Sequence, residues 1–513
     1  MKNCFTLFLA LCLLVSVSQA QERYTSEVYT DDQIKVTSDV QFATNATIFP
    51  LLFDPDVSEF VPENLFMDVY EPDPSVDTMT NRPMVLVVHG GDALPRIINN
   101  ACYGDKTDSV TVTTARKLAR MGYVAVAPNY RLGWNPLATA ADAFLDGLVD
   151  ASVRIQQDLR AAARYLRKDI AEDGNTYGID SERFTIWGTA SSAGTYSGFT
   201  AYINTVEELQ TPTFFVTDEN GDVRLTFDEE QAGNIEGTVV GTLPNGDTTN
   251  YVNTPGYSSA FQIAALGSGI SLDPGVVDED EPAMIMFGNP KSPVTQFAEG
   301  PIQLPTTGQV VAFAQLSQGL IKEAVEVGVN DAWIAANFTD PISVQVANDP
   351  NFQGVEGWLP LYGDPDNEYP WVHWDTVNCP RSAETFEVLP AMDTEYAISQ
   401  IDTMAAYFGV RACVTFGLNC PSVATTSIKD NLLADNVVTM APNPTNGSLL
   451  LSTNRGQRME AIDIFNINGK LVQHHEVGSD TFEKANIGLA SGFYSLVVRL
   501  REGVSVKKLV ITE

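Results

Sequence analysis

The chain has 513 residues, with 65 Asp or Glu against 30 Lys or Arg and a formal net charge of −35. That length holds one large domain with smaller ones beside it, and 44% hydrophobic against 19% charged residues is an ordinary globular balance. A surface this acidic repels phosphate backbones and anionic membranes, which argues against nucleic acid as a partner; its plain effect is solubility.

In chain order, "MKNCFTLFLALCLLVSVSQAQ" sets a lysine before an apolar run and small residues. This layout predicts a secretory signal peptide over residues 1–20, cleaved near Ala20–Gln21. The run is too short for an anchor, and Cys12 lacks the polar linker that lipidation requires. Four cysteines then remain, Cys102, Cys379, Cys413 and Cys420, and an even number in an exported chain favours disulfides. The short spacing suggests Cys413–Cys420, which leaves Cys102–Cys379. The absence of CxxC and the presence of only four histidines predict neither a metal site nor a cofactor.

Residues 21–63 read as a polar lead. From about Asn64, β-rich runs alternate with amphipathic ones. "PMVLVVHGG" and "YVAVAPNYRLG" are strands, with the helix "VTTARKLARMG" between them, closed by Gly122. The helix "ASVRIQQDLRAAARYLRKDIAED", the strand "RFTIWG", a helix from about Gly194, the strands "FQIAALGSG" and "PAMIMFGNP", and a last helix "DTEYAISQIDTMAAYFGV" follow. This alternation predicts an α/β fold, a doubly wound, mostly parallel sheet over residues 64–425. Residues 209–255 carry hairpin signals, "ENGD" and "PNGD", and read as a β-rich insertion, either a cover over the sheet's rim or a surface excursion. Residues 431–513 hold short strands between Gly/Asn turns, the pattern of a small β-sandwich.

Two resemblances attach to these segments. "PNPTNG", "FNINGK", "LASGFYSLVV" and the terminal "KKLVI" closely resemble the type A sorting domain of the type IX secretion system of Bacteroidetes-type bacteria. That resemblance implies the type IX machinery as partner, export across inner and outer membranes, and either attachment to surface lipopolysaccharide or release. His474 and His475 fall in this domain and are read as exposed strand residues outside any catalytic site. The central part resembles the α/β-hydrolase fold of carboxylesterases: "VVHGG" as the oxyanion loop with Gly90 and Gly91, "GYVAVAPNYRLG", "QDLRAAARYL", and "GIDSERFTIWG" as the approach to a nucleophile elbow. His89 then structures the loop.

Such a site needs a serine on a sharp strand-to-helix turn, a histidine to take its proton, a carboxylate to orient the histidine, and backbone N–H groups for the oxyanion. Laid on "IDSERFTIWGTASSAG", the family frame puts Gly188 at the first glycine, Ala190 at the nucleophile and Ser192 at the second glycine. Sliding the frame by two makes Ser192 the nucleophile, with Ser191 a weaker option; both serines also suit a tight turn capping a helix. The acid's expected place holds Lys291 or Ser292, leaving Asp278, Glu279, Asp280 or Asp340 as displaced candidates. His373, flanked by Trp371 and Trp374, is the remaining candidate base, and Glu384 stands near the expected histidine position. Two functions follow: a hydrolase-fold surface protein that has lost its triad and binds a ligand or partner, or a secreted esterase using Ser192 and His373 with an unidentified acid. A metal-dependent hydrolase lacks ligands.

Overall fold

The computed structural model describes residues 23–54, 56–96, 98–99, 103–211, 215–217, 223–267, 272–291, 299–303, 308, 310–315, 317–349, 355–362, 370–373, 394–418, 420, 437–466, 471–500 and 503–512. The leader, Cys102, Cys379, Ser292, Trp374 and Glu384 lie outside the described residues, and so does the Cys102–Cys379 pairing. The chain divides into two compact units, most of residues 23–423 in one and residues 437–512 in the other.

The first unit is built on an eight-stranded sheet: β1 (Ile34–Thr47), β2 (Val61–Pro72), β3 (Arg82–Val88), β4 (Val124–Pro128), β5 (Ile179–Gly188), β6 (Ile263–Gly267), β7 (Ala283–Gly288) and β8 (Trp358–Pro360). Their spatial order is β1-β2-β4-β3-β5-β6-β7-β8. The β1–β2 and β2–β4 pairs are antiparallel, and the pairs from β4 through β3 to β8 are parallel. Strands buried on both faces read as continuous apolar runs, and "MVLVV" is such a run: Met84, Leu86 and Val88 face one core, Val85 and Val87 the other. The first core is closed by α2 (Ala141–Glu172) and α3 (Ser191–Tyr202), the second by α1 (Ser109–Arg120) and α4 (Thr394–Thr415). This is the doubly wound sheet that the alternation predicts.

One boundary moves. The lead assigned to residues 21–63 supplies β1, and a boundary at residue 64 falls inside β2. β1 escapes a pattern search because it lies on an edge, bulged between Thr37 and Val40 and between Gln41 and Ala43, so strict alternation is lost. The insertion leaves α3 and returns into β6, and it is fastened along α2 and the end of β1. Gln157 Nε2 reaches the Ala232 and Asn234 carbonyls, Arg160 and Arg164 both pair with Glu236 at 2.8 Å, and Asn253 bonds Thr44.

Behind the loop that follows β4, Arg131 and Asp158 form a fully buried ion pair at 2.8 Å. Arg131 also donates to the Ala46, Thr249 and Arg154 carbonyls and to Gln157, while Asn45 links Asp158 to Asn250. A buried pair is tolerable only when its remaining donors and acceptors are satisfied in this way.

The second unit has a three-stranded antiparallel sheet of Val438–Ala441, Leu449–Thr453 and Thr481–Lys484. Its second sheet, also antiparallel, has four strands, Leu471–Ser479, Met459–Asn466, Gly492–Leu500 and Gly503–Ile511. Leu451, Ile462, Ile464, Leu496 and Val498 fill its core. His474 is half-exposed on a strand, 2.6 Å from Asp463 and 3.1 Å from Glu476.

Candidate functional site

β3 and β5 are parallel neighbours in register, with Val88 opposite Gly188. The "HGG" loop and the elbow therefore leave the sheet side by side, and Thr189 stitches them by donating through N–H and Oγ1 to the Val88 carbonyl, at 3.1 and 2.9 Å.

The loop is held from behind. His89 is buried and stacked on Tyr130 with ring centroids 4.2 Å apart, and its Nδ1 lies 2.8 Å from the Gly90 carbonyl. Burial pushes its pKa down, with Asp108 working in the opposite direction, so the imidazole is neutral at pH 7. The Tyr130 hydroxyl donates to the carbonyls of His89 and Gly90. Gly91 has φ +104°, and a Cβ there would stand 2.5 Å from Gly104 Cα, so both the backbone angle and the space require glycine. Asn99 Nδ2 holds the Gly91, Leu94 and Tyr103 carbonyls, and Trp134 Nε1 donates to the Asp92 carbonyl at 2.7 Å. These contacts give His89 the structural role expected of it.

At the elbow, β5 ends at Gly188 and α3 begins at Ser191, so the turn falls on Thr189 and Ala190. Ala190 is buried, with φ −156° and ψ −174°. That is relaxed extended backbone, without the strain of a nucleophile elbow. Ser192 stands in the first turn of α3, beyond the turn, so β5 does not run the two residues further that the shifted frame requires. Its hydroxyl accepts the Asp92 N–H at 3.3 Å. A Cβ built on Gly90 would lie 3.5 Å from both Ser192 Oγ and Ala190 Cβ, so both atoms border one small space over the loop. Asp92 carries the other half of the contact. Desolvation raises its carboxyl's pKa, and a hydrogen bond from the Ser192 hydroxyl works the other way.

His373 is buried, and its Nε2 lies 3.3 Å from Thr113 Oγ1 on α1. Burial lowers its pKa, opposed by a backbone hydrogen bond at Trp371. The neighbouring Trp371 donates to the Thr189 carbonyl at 2.6 Å, which ties this segment to the elbow. Among the described residues no hydrogen bond joins His373 to Ser192. Lys291 is exposed after β7 with its ammonium over the Tyr362 ring. Asp340 caps a short helix by accepting the Ser343 N–H. Asp278, Glu279 and Asp280 precede β7, whereas the elbow follows β5; in a parallel sheet these are opposite ends. A half-open cleft of about 350 Å³ lies at that far end, lined in part by Arg160, Asn204, Tyr257, Asp280 and Glu281. Burial, reinforced by the charges of Glu208 and Asp278, pushes Glu281 up to about 8. Among the described residues no group of three or more His, Cys, Asp or Glu is placed to hold a metal.

Asp92 went unnoticed in the sequence reading, although it directly follows the Gly90–Gly91 pair. The arrangement places the Ala190 methyl group at the turn and a loop beside it whose Asp92 amide is engaged by Ser192.

Residues 67–229 match the family model described as BD-FAE. This region is an esterase-like α/β-hydrolase domain. Residues 439–512 match the secretion system C-terminal sorting domain, which marks the chain for type IX export, to the cell surface or beyond it, through that machinery. No curated protein matches significantly. Similar solved structures include an esterase from the Planctomycetes species Thermogutta terrifontis bound to propionate, 15% identical over 52% of this chain and 76% of that one, TM-score 0.27. A bifunctional GH43-CE from Bacteroides eggerthii is 13% identical over 58% and 31%, TM-score 0.29. The α/β hydrolase MGS-M1 from a Medee basin deep-sea metagenome is 12% identical over 52% and 72%, TM-score 0.25. Cys413 and Cys420, at the end of the hydrolase domain, are bridged with Cα atoms 6.1 Å apart.

Proposed function

We propose that this exported protein uses its hydrolase domain to bind a ligand and does not turn over esters. One observation carries the reading: the strand-to-helix turn presents the methyl group of Ala190, on relaxed backbone, where attack on a carbonyl needs a hydroxyl. Loss of a single triad member already costs a factor of thousands or more. Here Lys291 also stands near the acid's place, and His373 is engaged with Thr113. The test compares wild type with Ser192→Ala on p-nitrophenyl acetate and butyrate. Equal background rates, and no mass gain with a fluorophosphonate, are expected; turnover lost in Ser192→Ala would sink the reading.

The second reading, an esterase with Ser192 as nucleophile and His373 as base, is favoured by the 3.3 Å contact between Ser192 Oγ and a loop amide. It requires His373 to come within hydrogen-bond reach of Ser192. We further propose that, after export, the chain is either attached to surface lipopolysaccharide or released; a mass shift on cell-bound protein against culture medium separates the two.

A further inference from the structure

In an active esterase the loop beside the elbow offers free N–H groups to a developing negative charge. Here the Asp92 N–H already has an acceptor, the Ser192 hydroxyl. That hydroxyl borders the space above Gly90 together with the methyl of Ala190, so a bound carbonyl oxygen would compete with it for the donor. The residue supplying the amide is itself an aspartate, exposed and in the left-handed region at φ 55°, and its carbonyl is fixed by Trp134. Charged groups of both signs back the loop. Asp105 and Asp108 lie behind it, and Arg96 is taken up by Asp108 at 2.6 Å. A carboxylate beside the donors repels an oxyanion and attracts a hydrogen-bond donor, most strongly a charged one.

We propose that Ser192 and Asp92 turn this loop from a site for an oxyanion into a site for a hydrogen-bond donor, a ligand group presenting an ammonium or a hydroxyl. The inference rests on the non-catalytic reading above and names the ligand chemistry of that same site. Ser192 Oγ keeps a second lone pair beyond the one taken by the amide, and the Asp92 carboxyl keeps acceptor capacity beyond its bond from the Ser192 hydroxyl. An ionised carboxylate attracts an ammonium more strongly than a neutral hydroxyl, which favours the ammonium.

The experiment uses the full-length mature protein and follows the Asp92 and Ser192 backbone amides by NMR during titration with three probes of equal length: butylammonium, 1-butanol and butyrate. Butylammonium is expected to shift both amides at least tenfold more tightly than butyrate, with butanol between them. Asp92→Asn should lose at least tenfold in butylammonium affinity. Ser192→Ala, which frees the amide, should gain butyrate binding. Butyrate binding to wild type as tightly as butylammonium overturns the proposal, and so does silence of both amides toward all three probes. The ester assay stays separate: turnover lost in Ser192→Ala removes the non-catalytic reading, whereas the probe ranking alone decides this one. If Asp92→Asn fails to fold, the wild-type ranking and Ser192→Ala still decide.

Discussion

The loop after β3 and the elbow after β5 leave neighbouring strands at the same level, yet they have fared differently. The loop keeps its supports: the His89–Tyr130 stack, the left-handed Gly91, the Asn99 clamp and the Trp134 bond. The elbow keeps its supports too, since a Cβ on Gly194 would sit 2.1 Å from the Gly267 carbonyl oxygen, so α3 packs on β6 only through glycine. On the proposed non-catalytic reading, what differs is one hydroxyl that folding does not need, with Ala190 standing at the turn. A serine hydroxyl at a turn contributes little to packing, so alanine there costs the fold little. Glycines, stacked rings and clamped carbonyls are required by folding itself, whereas a turn hydroxyl is not.

The comparison can be broken at its strongest support. Arg131→Ala leaves Asp158 charged and unpaired in the interior, and should cost about 3–5 kcal/mol in urea unfolding. An effect under 1 kcal/mol would show that this network does not hold the loop's foundation. On the elbow side, Gly194→Ala forces a methyl group against the Gly267 carbonyl and should cost about 1–3 kcal/mol or prevent soluble expression. Wild-type stability there would mean that the close approach of α3 to β6 is not required. A milder probe of the loop is Tyr130→Phe, which removes the donor to two loop carbonyls and should cost about 1 kcal/mol.

The far end of the sheet gives a pH test of the same contrast. Glu281 has a folded pKa raised to about 8 from an ordinary 4.5, so the native state holds its proton longer than the unfolded chain. Its contribution is fully present below pH 4.5 and is lost as pH rises toward 8. Glu281→Gln should therefore show a melting temperature that increasingly exceeds wild type from pH 5 to 8 and then levels off. A constant difference across that range would remove Glu281 as the cause. The smallest effect is expected for Ser192→Ala on ester hydrolysis, with no change in rate, in contrast to its effect on ligand selectivity.

Much of this was legible in the sequence because burial on both faces writes itself as apolar runs. β3, β4, β6 and β7 are such runs, and Gly122 closes α1 where its φ of +102° demands glycine. Ala190 at the turn was legible from the frame of small residues around it. β1 was not, because a bulged edge strand exposes much of its length and breaks its own alternation. Nor was the contact of Asp92 with Ser192, because residues a hundred positions apart meet only through the register of β3 on β5. α2 begins ten residues before the stretch that announced it, since "ADAFLDGLVD" mixes acids with apolar residues and has no capping side chain at its start.

The network of Asn45, Arg131, Asp158 and Asn250 also bears on how the chain acquires its structure. Its members are separated by up to 205 positions, and Asn253 closes on Thr44 across 209. An arginine and an aspartate without exposure cannot be buried until the last of these partners has arrived. The network around the first strand is therefore complete only when residue 253 is present. A chain cut before residue 249 would leave Arg131 and Asn45 without the Thr249 carbonyl and the Asn250 side chain.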